Sequence, residues 1–314
     1  MIPTLATLAA ALVLSAPAVD DELWTDDFTA AQTRARAESK DLLLDFTGSD
    51  WCAWCIRLHR EVFEQDAFEA AAPEQYVLVT LDFPRDTSRL SEAVQRQNEG
   101  LRERYPIAGF PTLYLLDAEG RPYATTGYRE GGAEPYLEHL ARLRRVREAR
   151  DSAWAAMEVE GATPAERASA MDRGLRALDE RLLMPHYRAE IEALAELDAE
   201  DAQGLATRAR FLLDPALLAP TLDEIQAVIA ERGEAADWQG LVDAMAQFAA
   251  RYRAVDAVAQ LALFYQGIGE LELDHKDVGR ALLERALGAD GDGRHVRRIR
   301  EVLEALDAEQ ARQG

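Results

Sequence analysis

The stretch that decides the fold spans residues 42–63 and reads LLLDFTGSDWCAWCIRLHREVF. It begins with an apolar run from Leu42 to Phe46, passes through a loop that contains Gly48, and ends in a pattern with helical spacing. We therefore expect a buried strand, a short loop and a helix to follow one another here.

Cys52 and Cys55 lie in this stretch and are the only two cysteines of the chain. Residues three apart share one face of a helix, so the two thiols can close a small disulfide. The oxygens of Thr47, Ser49 and Asp50 are of the kind that cap a helix start, which places Cys52 in the first turn. Unpaired N–H groups there favour a thiolate, so we expect Cys52 to attack first and Cys55 to resolve.

The composition limits the possible partners. The chain has 314 residues and a formal net charge of -22, which is enough length for two soluble domains. Because a polyanion would be repelled by such a charge, nucleic acid is excluded as a partner.

The N-terminus predicts export. Residues 1–22 read MIPTLATLAAALVLSAPAVDDE, an apolar run that ends in small residues ahead of acidic ones. We predict a signal peptide over residues 1–18, and a periplasmic or secreted protein. The alternative is a membrane anchor, but the apolar run falls short of the ~20 residues that a spanning helix needs. In an exported chain, a lone C-x-x-C indicates a chemical rather than a structural disulfide.

The first half of the chain alternates strand and helix patterns, which predicts a central sheet with helices on both faces. The expected strands span residues 42–46, 76–83, 113–116 and 123–126. A first helix is expected to begin near Trp24, and a second to run from Asp66 until Pro73 ends it. One or two further helices are expected within residues 87–105, and a last one over residues 133–148.

Three side chains near the cysteines have more than one interpretation. From composition alone, Asp45 is a strand-end residue that faces water, and the alternative is a buried acid with a raised pKa. We expect His59 to be a solvent-facing polar residue rather than a base or metal ligand, and we predict no metal site, because two Cys and one His make an incomplete zinc site. Trp54 grips a partner or packs against a neighbouring loop, with neither favoured.

Beyond Arg150 the sequence loses its strand-like runs and predicts an all-helical array of hairpins. Residues 279–292, GRALLERALGADGD, resemble part of a tetratricopeptide repeat, but no 34-residue period persists, so true repeats are the less favoured alternative. We interpret an arginine cluster at the end of the preceding helix as a linker; it comprises Arg142, Arg144, Arg145, Arg147 and Arg150.

The first half resembles the thioredoxin superfamily, most closely the exported bacterial proteins with a GSDWC-x-x-C segment. The resemblance depends on residues 48–55, GSDWCAWC, and on residues 109–112, GFPT, which open a second strand. It covers about residues 24–146 and implies a thioredoxin-like domain over residues 19–148, followed by the all-helical domain over residues 149–314.

The resemblance also implies roles for single residues. Cys52 would be the nucleophile, Cys55 the resolving thiol and Pro111 a cis-proline beside the disulfide. Asp45 would be the buried acid that exchanges a proton with the resolving cysteine, which reverses the interpretation from composition. The candidate substrate-binding residues are Trp51, Trp54, Phe110, Thr112 and Gly127.

The sequence differs from that of thioredoxins in two places that bear on these roles. The usual lysine partner of the buried acid would fall near Leu78, which cannot pair with it, and Ala53-Trp54 replaces Gly-Pro between the cysteines. The residues between the cysteines help set the reduction potential, so the motif does not assign a direction of electron flow.

The expected activity is thiol-disulfide oxidoreduction on exported proteins, with the disulfide as the redox group and no cofactor. The absence of other cysteines favours a reductant or isomerase that a membrane electron donor recharges. The alternative is an interaction or redox-sensing protein whose helical domain binds a partner and whose cysteines rarely turn over.

Overall fold

A computed structural model describes residues 23–291 and 293–313 of the chain. The predicted signal peptide lies outside these residues. The first half forms one mixed sheet in the order β1-β3-β2-β4-β5, in which β2 is parallel to β3 and antiparallel to β4. The strands are β1 (Trp24–Thr25), β2 (Asp41–Thr47), β3 (Tyr76–Asp82), β4 (Thr112–Leu116) and β5 (Pro122–Thr126).

Helices flank this sheet, which confirms the predicted α/β thioredoxin-like class. They are α1 (Phe28–Glu38), α2 (Ala53–Leu58), α3 (Asp66–Gln75), α4 (Glu92–Arg104) and α5 (Ala133–Ala155). One π-helical turn, His59–Phe63, continues α2 directly. The strand–loop–helix order expected from residues 42–63 is therefore observed.

Two local expectations are wrong. Trp24 does not begin a helix but pairs with Leu78 in the edge strand β1, because a two-residue strand is too short to show a period of its own. Pro73 does not end α3 but lies inside its last turn. A proline so close to a helix end removes a single backbone hydrogen bond, so the helix tolerates it.

The second half is helical, as predicted. Its helices are α6 (Pro164–Ala177), α7 (Glu180–His186), α8 (Arg188–Leu197), α9 (Leu205–Leu213), α10 (Leu218–Glu234), α11 (Trp238–Arg251), α12 (Asp256–Glu272), α13 (Lys276–Ala289) and α14 (Val296–Gln313). Neighbours in sequence pack as hairpins, most extensively α11 on α12 and α12 on α13. Within the described ranges, none of the helices combines the length and the apolarity that crossing a bilayer requires.

The first helices of the second half share a hydrophobic core with the sheet. Leu175, Leu182 and Tyr187 belong to the same buried cluster as the strands, and the Tyr187 hydroxyl donates to the carbonyl of Pro122 at 2.8 Å. Helix α5 runs without a break through residue 148. The predicted domain limits at residues 148 and 149 stay a prediction.

Three of the five clustered arginines are bound within the fold, so the interpretation as a linker is wrong for them. Arg150 is completely buried, and its guanidinium donates to the Asp117 carboxylate at 2.7 Å and to the Tyr187 hydroxyl at 2.8 Å. Arg144 and Arg147 both pair with the buried carboxylate of Asp41. These three arginines therefore bind α5 to the sheet and to the first hairpin of the second half, whereas Arg142 and Arg145 are exposed.

We predict that Arg150→Met lowers the free energy of unfolding by about 3 kcal/mol, the lower end of the cost of breaking a buried ion pair, because Asp117 loses its buried partner but keeps the half-exposed Arg121 at 2.9 Å. Arg145→Met is the matched control, since Arg145 is exposed on the same helix, and it should change stability by less than about 0.5 kcal/mol. Urea denaturation followed by helical circular dichroism measures both. Equal effects of the two substitutions would show that the buried pairs do not hold α5 in place.

Candidate active site

The two cysteines form a disulfide whose sulfurs have unequal surroundings. Their Cα atoms lie 5.2 Å apart. Cys52 is the N-cap residue of α2, and its sulfur accepts a hydrogen bond from the backbone N–H of Cys55 at 3.2 Å. Cys52 is 6% exposed, whereas Cys55 is entirely buried. An N–H group directed at a sulfur favours its thiolate. The difference between the two sulfurs is therefore consistent with the predicted order, in which Cys52 attacks and Cys55 resolves.

The loop before α2 does not cap the helix as expected. The backbone N–H and the hydroxyl of Ser49 donate to the Asp82 carboxylate at 2.9 and 2.6 Å. The Asp50 carboxylate accepts from the backbone N–H groups of residues 85 and 86. These oxygens therefore tie the loop to the end of β3, and the sulfur of Cys52 itself caps the helix.

Trp51 joins the two segments of the motif in space. Its indole N–H donates to the carbonyl of Phe83 at 2.8 Å, and its ring meets that of Phe110 edge to face at 5.5 Å between centroids. About two fifths of Trp51 stays exposed. The segments WCAWC and GFPT, far apart in sequence, are thus adjacent in space as predicted.

The Phe110–Pro111 peptide bond is cis, as expected from the resemblance. The Thr112 hydroxyl closes this loop by donating to the carbonyl of Gly109 at 2.7 Å. Gly127 directly follows β5, and a Cβ atom there would lie only 3.0 Å from the carbonyl oxygen of Pro111. A side chain at position 127 would therefore push against the proline loop.

Trp54 packs against a neighbouring loop, which was one of its two interpretations. Its ring lies 5.1 Å from that of Tyr128, and the Arg57 guanidinium lies 5.5 Å from the Trp54 ring and 5.0 Å from that of Tyr128. Glu61 accepts from the Tyr128 hydroxyl at 2.7 Å and fixes it. About half of Trp54 remains exposed, so a large apolar surface stays available one residue before Cys55.

Asp45 is completely buried, so the solvent-facing interpretation is wrong and the one from the resemblance agrees with the structure. Its partner is His59, whose Nε2 lies 2.8 Å from Asp45 Oδ2. His59 is therefore not the solvent-facing residue that we expected, although about a third of its side chain is exposed. Leu78 is buried between Trp24 and Leu43 in the sheet, as expected of a residue that cannot pair with the acid.

Burial raises the pKa of Asp45, because it disfavours the charged carboxylate, and the hydrogen bond and charge of His59 offset this only in part. Burial alone would lower the pKa of His59, but the hydrogen bond to Asp45 and the carboxylate charge outweigh it and raise that pKa. Because both pKa values are raised, Asp45 and His59 each keep a proton to a higher pH than they would in water.

Three features of the site are not predicted by the sequence: the contacts of Phe83, those of Tyr128, and the pairing of His59 with Asp45. A signal existed only for His59, since it follows Cys55 by four residues and so faces the strand beneath the helix. Phe83 and Tyr128 contribute through loop packing, which no periodicity records. Among the described residues, no three His, Cys, Asp or Glu side chains are grouped to hold a metal ion.

Comparison with known proteins identifies the family of the first half of the chain. The model of a thioredoxin-like domain family matches residues 28–141. Disulfide bond reductase DsbH of Chlamydia pneumoniae is 30% identical over 131 residues, which are 42% of this chain and 78% of DsbH. Thioredoxin-related protein DsbJ of the same organism is 28% identical over 102 residues, which are 32% of this chain and only 29% of DsbJ.

Among solved structures, a DsbH oxidoreductase aligns with 44% of this chain and 95% of its own, at 28% identity and a TM-score of 0.38. The family follows from the relative that this chain covers over more than three quarters of its length. The resemblance seen in GSDWCAWC and GFPT is thereby confirmed: the chain belongs to the thioredoxin superfamily and is a thiol-disulfide oxidoreductase.

Proposed function

We propose that the protein reduces or isomerises disulfides of exported proteins, with Cys52 as the attacking thiol and Cys55 as the resolving thiol. The observation that carries this proposal is the unequal environment of the two sulfurs. The sulfur of Cys52 is the more exposed one and accepts an N–H group, whereas Cys55 is buried one turn into the helix. A substrate sulfur can reach the first and is excluded from the second.

In the reductive direction, the Cys52 thiolate attacks one sulfur of a substrate disulfide. A bond forms between Cys52 and that sulfur, and the other substrate sulfur leaves as a thiolate that takes up a proton. Cys55 then loses its proton and attacks the sulfur of Cys52. The Cys52–Cys55 disulfide forms, the second substrate thiol leaves, and two electrons have passed from the protein to the substrate.

Two observations favour the reductive or isomerising direction. The related DsbH is named a disulfide bond reductase. The chain also has no cysteine outside the pair, so it does not rely on disulfides for its own scaffold. Each reductive turnover leaves the pair oxidised, so we propose a membrane electron donor that reduces it again. The pair is then the whole redox group, with no metal or organic cofactor.

The predicted signal peptide supports an exported, periplasmic or secreted location, where protein disulfides are available. The exposed rings of Trp51 and Trp54, together with Phe110 and Thr112 on the proline loop, are the proposed contacts for an extended substrate segment beside the disulfide. We keep the binding of a partner protein by residues 149–314 as a separate proposal.

We expect the two serine variants of the pair to differ. Cys52→Ser should bring insulin reduction down to the uncatalysed background, because the attacking thiolate is lost. Cys55→Ser should accumulate a covalent mixed disulfide with the substrate, visible as a mass increase that dithiothreitol reverses. The same atom changes at both positions, so each variant is the control for the other.

A Cys52→Ser protein that reduced insulin at the wild-type rate would contradict the proposal. A wild-type protein that formed the mixed disulfide but did not turn over would favour the interaction or redox-sensing alternative.

The direction is tested by the equilibrium of the Cys52–Cys55 pair with a glutathione series, followed by the fluorescence of the adjacent Trp51 and Trp54. We expect a reduction potential nearer the value of about -270 mV typical of a reductant than the value of about -120 mV typical of a strong oxidant. A value at the oxidising end would overturn the reductive direction and leave the exchange chemistry itself intact.

A further inference from the structure

The pair Asp45–His59 joins a buried carboxyl group to an imidazole on the cysteine helix. All seven residues of β2 are buried, and Asp45 has no exposed side-chain surface. Asp45 Oδ2 is bound to His59, whereas Asp45 Oδ1 has no hydrogen-bond partner within the described part of the chain. One oxygen of the carboxylate is thus held, and the other remains able to accept a proton.

The position of His59 places this carboxylate beneath α2 on the side of Cys55. His59 follows Cys55 by four residues in a continuous helical run, so both side chains lie on the same face of the run. Leu58 and Val62 are buried next to them on that side. Asp45, to which His59 is hydrogen-bonded, therefore lies below the helix face that carries Cys55.

Cys55 needs an internal proton acceptor when it attacks the mixed disulfide. Its side chain is entirely buried, and a thiol must lose its proton before it can attack a disulfide. Solvent does not reach this sulfur to take the proton. A carboxylate in the ionised state is a suitable acceptor, but burial raises the pKa of Asp45 and so disfavours that state.

We propose that His59 is a positioning residue: it keeps Asp45 oriented and ionised for the proton transfer from Cys55 that the resemblance to thioredoxins implies for the resolving step. This inference rests on the proposed function and adds to it. The proton passes from Cys55 to Asp45, the bond from Cys55 to Cys52 forms, and the bond from Cys52 to the substrate sulfur breaks. The departing substrate thiolate takes a proton from solvent, so no further reactant is needed.

The groups around the pair come from several elements. Asp82 at the end of β3 and Glu64 after the π-helical turn add negative charge near His59, and Tyr136 of α5 lies near Asp45. Trp24 of β1 and Phe63 contribute rings at centroid distances of 6.1 and 5.0 Å from His59. Each of the carboxylates favours the imidazolium, and each of the rings shields the pair from water.

The sign of the pH dependence follows from these surroundings. Without a cation at position 59, the carboxylate loses the interactions that oppose burial, so the pKa of Asp45 rises further. In a His59→Gln protein, Asp45 then ionises only at higher pH. Resolution should be slower near neutrality and should approach the wild-type rate as the pH is raised past the new pKa.

The test uses full-length reduced protein and excess 5,5′-dithiobis(2-nitrobenzoate) in a stopped-flow spectrometer. Attack by Cys52 releases one thionitrobenzoate in a phase that depends on reagent concentration, and attack by Cys55 releases the second in a phase that does not. For His59→Gln we expect the second phase to be about tenfold slower near neutral pH, and its pH midpoint to rise by about one unit. The first phase should change less than about twofold.

His59→Lys is the rescue variant, because it restores a cation that stays charged across this range. We expect it to return the second phase towards the wild-type rate. His275→Gln is the matched control, since His275 forms an exposed pair with Glu270 at 2.7 Å in the helical half. It should leave both phases unchanged.

The outcomes separate this inference from the proposed function. If the wild-type protein shows both phases and His59→Gln leaves the second phase and its pH profile unchanged, the role of His59 is overturned while the exchange chemistry stands. A second phase that is slow at every pH and is not rescued by lysine also overturns it, since this indicates a role in packing alone. If wild-type Cys52 does not react at all, the proposed function itself fails.

Discussion

Strand β2 carries two aspartates, Asp41 and Asp45, into the interior of the protein, and each determines what packs beside it. A buried carboxylate is costly unless a cation or hydrogen-bond donors compensate it. Asp45 is matched by His59 from the cysteine helix. Asp41 is matched by Arg147 and Arg144 from α5 and by the Tyr123 hydroxyl at 2.9 Å. Burial raises the pKa of Asp41, and these partners oppose the increase.

The two acids thus fix the positions of two helices relative to the sheet. Near the carboxyl end of β2, His59 binds the helix that presents the disulfide. At its amino end, the arginines bind α5, whose continuation carries Arg150 to Asp117 and Tyr187. Because Tyr187 also donates to Pro122 in β5, the first hairpin of the helical half is bonded to the sheet. One strand therefore anchors both the site and the extension of the chain.

The sequence was sufficient where a feature is local and repeated. The apolar runs near residues 42–46 and 76–83 predicted β2 and β3 to within a residue or so, because a buried strand shows itself by composition alone. The two motif segments predicted the contact between Trp51 and Phe110, since a resemblance carries the spatial arrangement with it.

It was insufficient where a charged residue is buried. Arg150 looked like part of a linker at a helix end, because arginine is rarely buried unless it is paired, and its partners Asp117 and Tyr187 are 33 and 37 residues away in sequence. His59 looked solvent-facing because its partner, Asp45, lies on a different element, 14 residues away in sequence. The helix period showed which face it shares with Cys55 but did not show that an acid lies opposite that face.

The site differs from the pattern that the resemblance implied in the origin of the partner of the buried acid: His59 lies on the cysteine helix. There, the partner of the buried acid would come from β3, where this chain has Leu78 packed between Trp24 and Leu43. Here the partner comes from the helical run of the resolving cysteine itself. The cation and Cys55 are therefore positioned by the same backbone, and any shift of this helix moves both relative to Asp45. An imidazole ordinarily titrates in the neutral range, unlike a lysine amine, so under the proposed role of His59 the charge on the buried acid depends on pH.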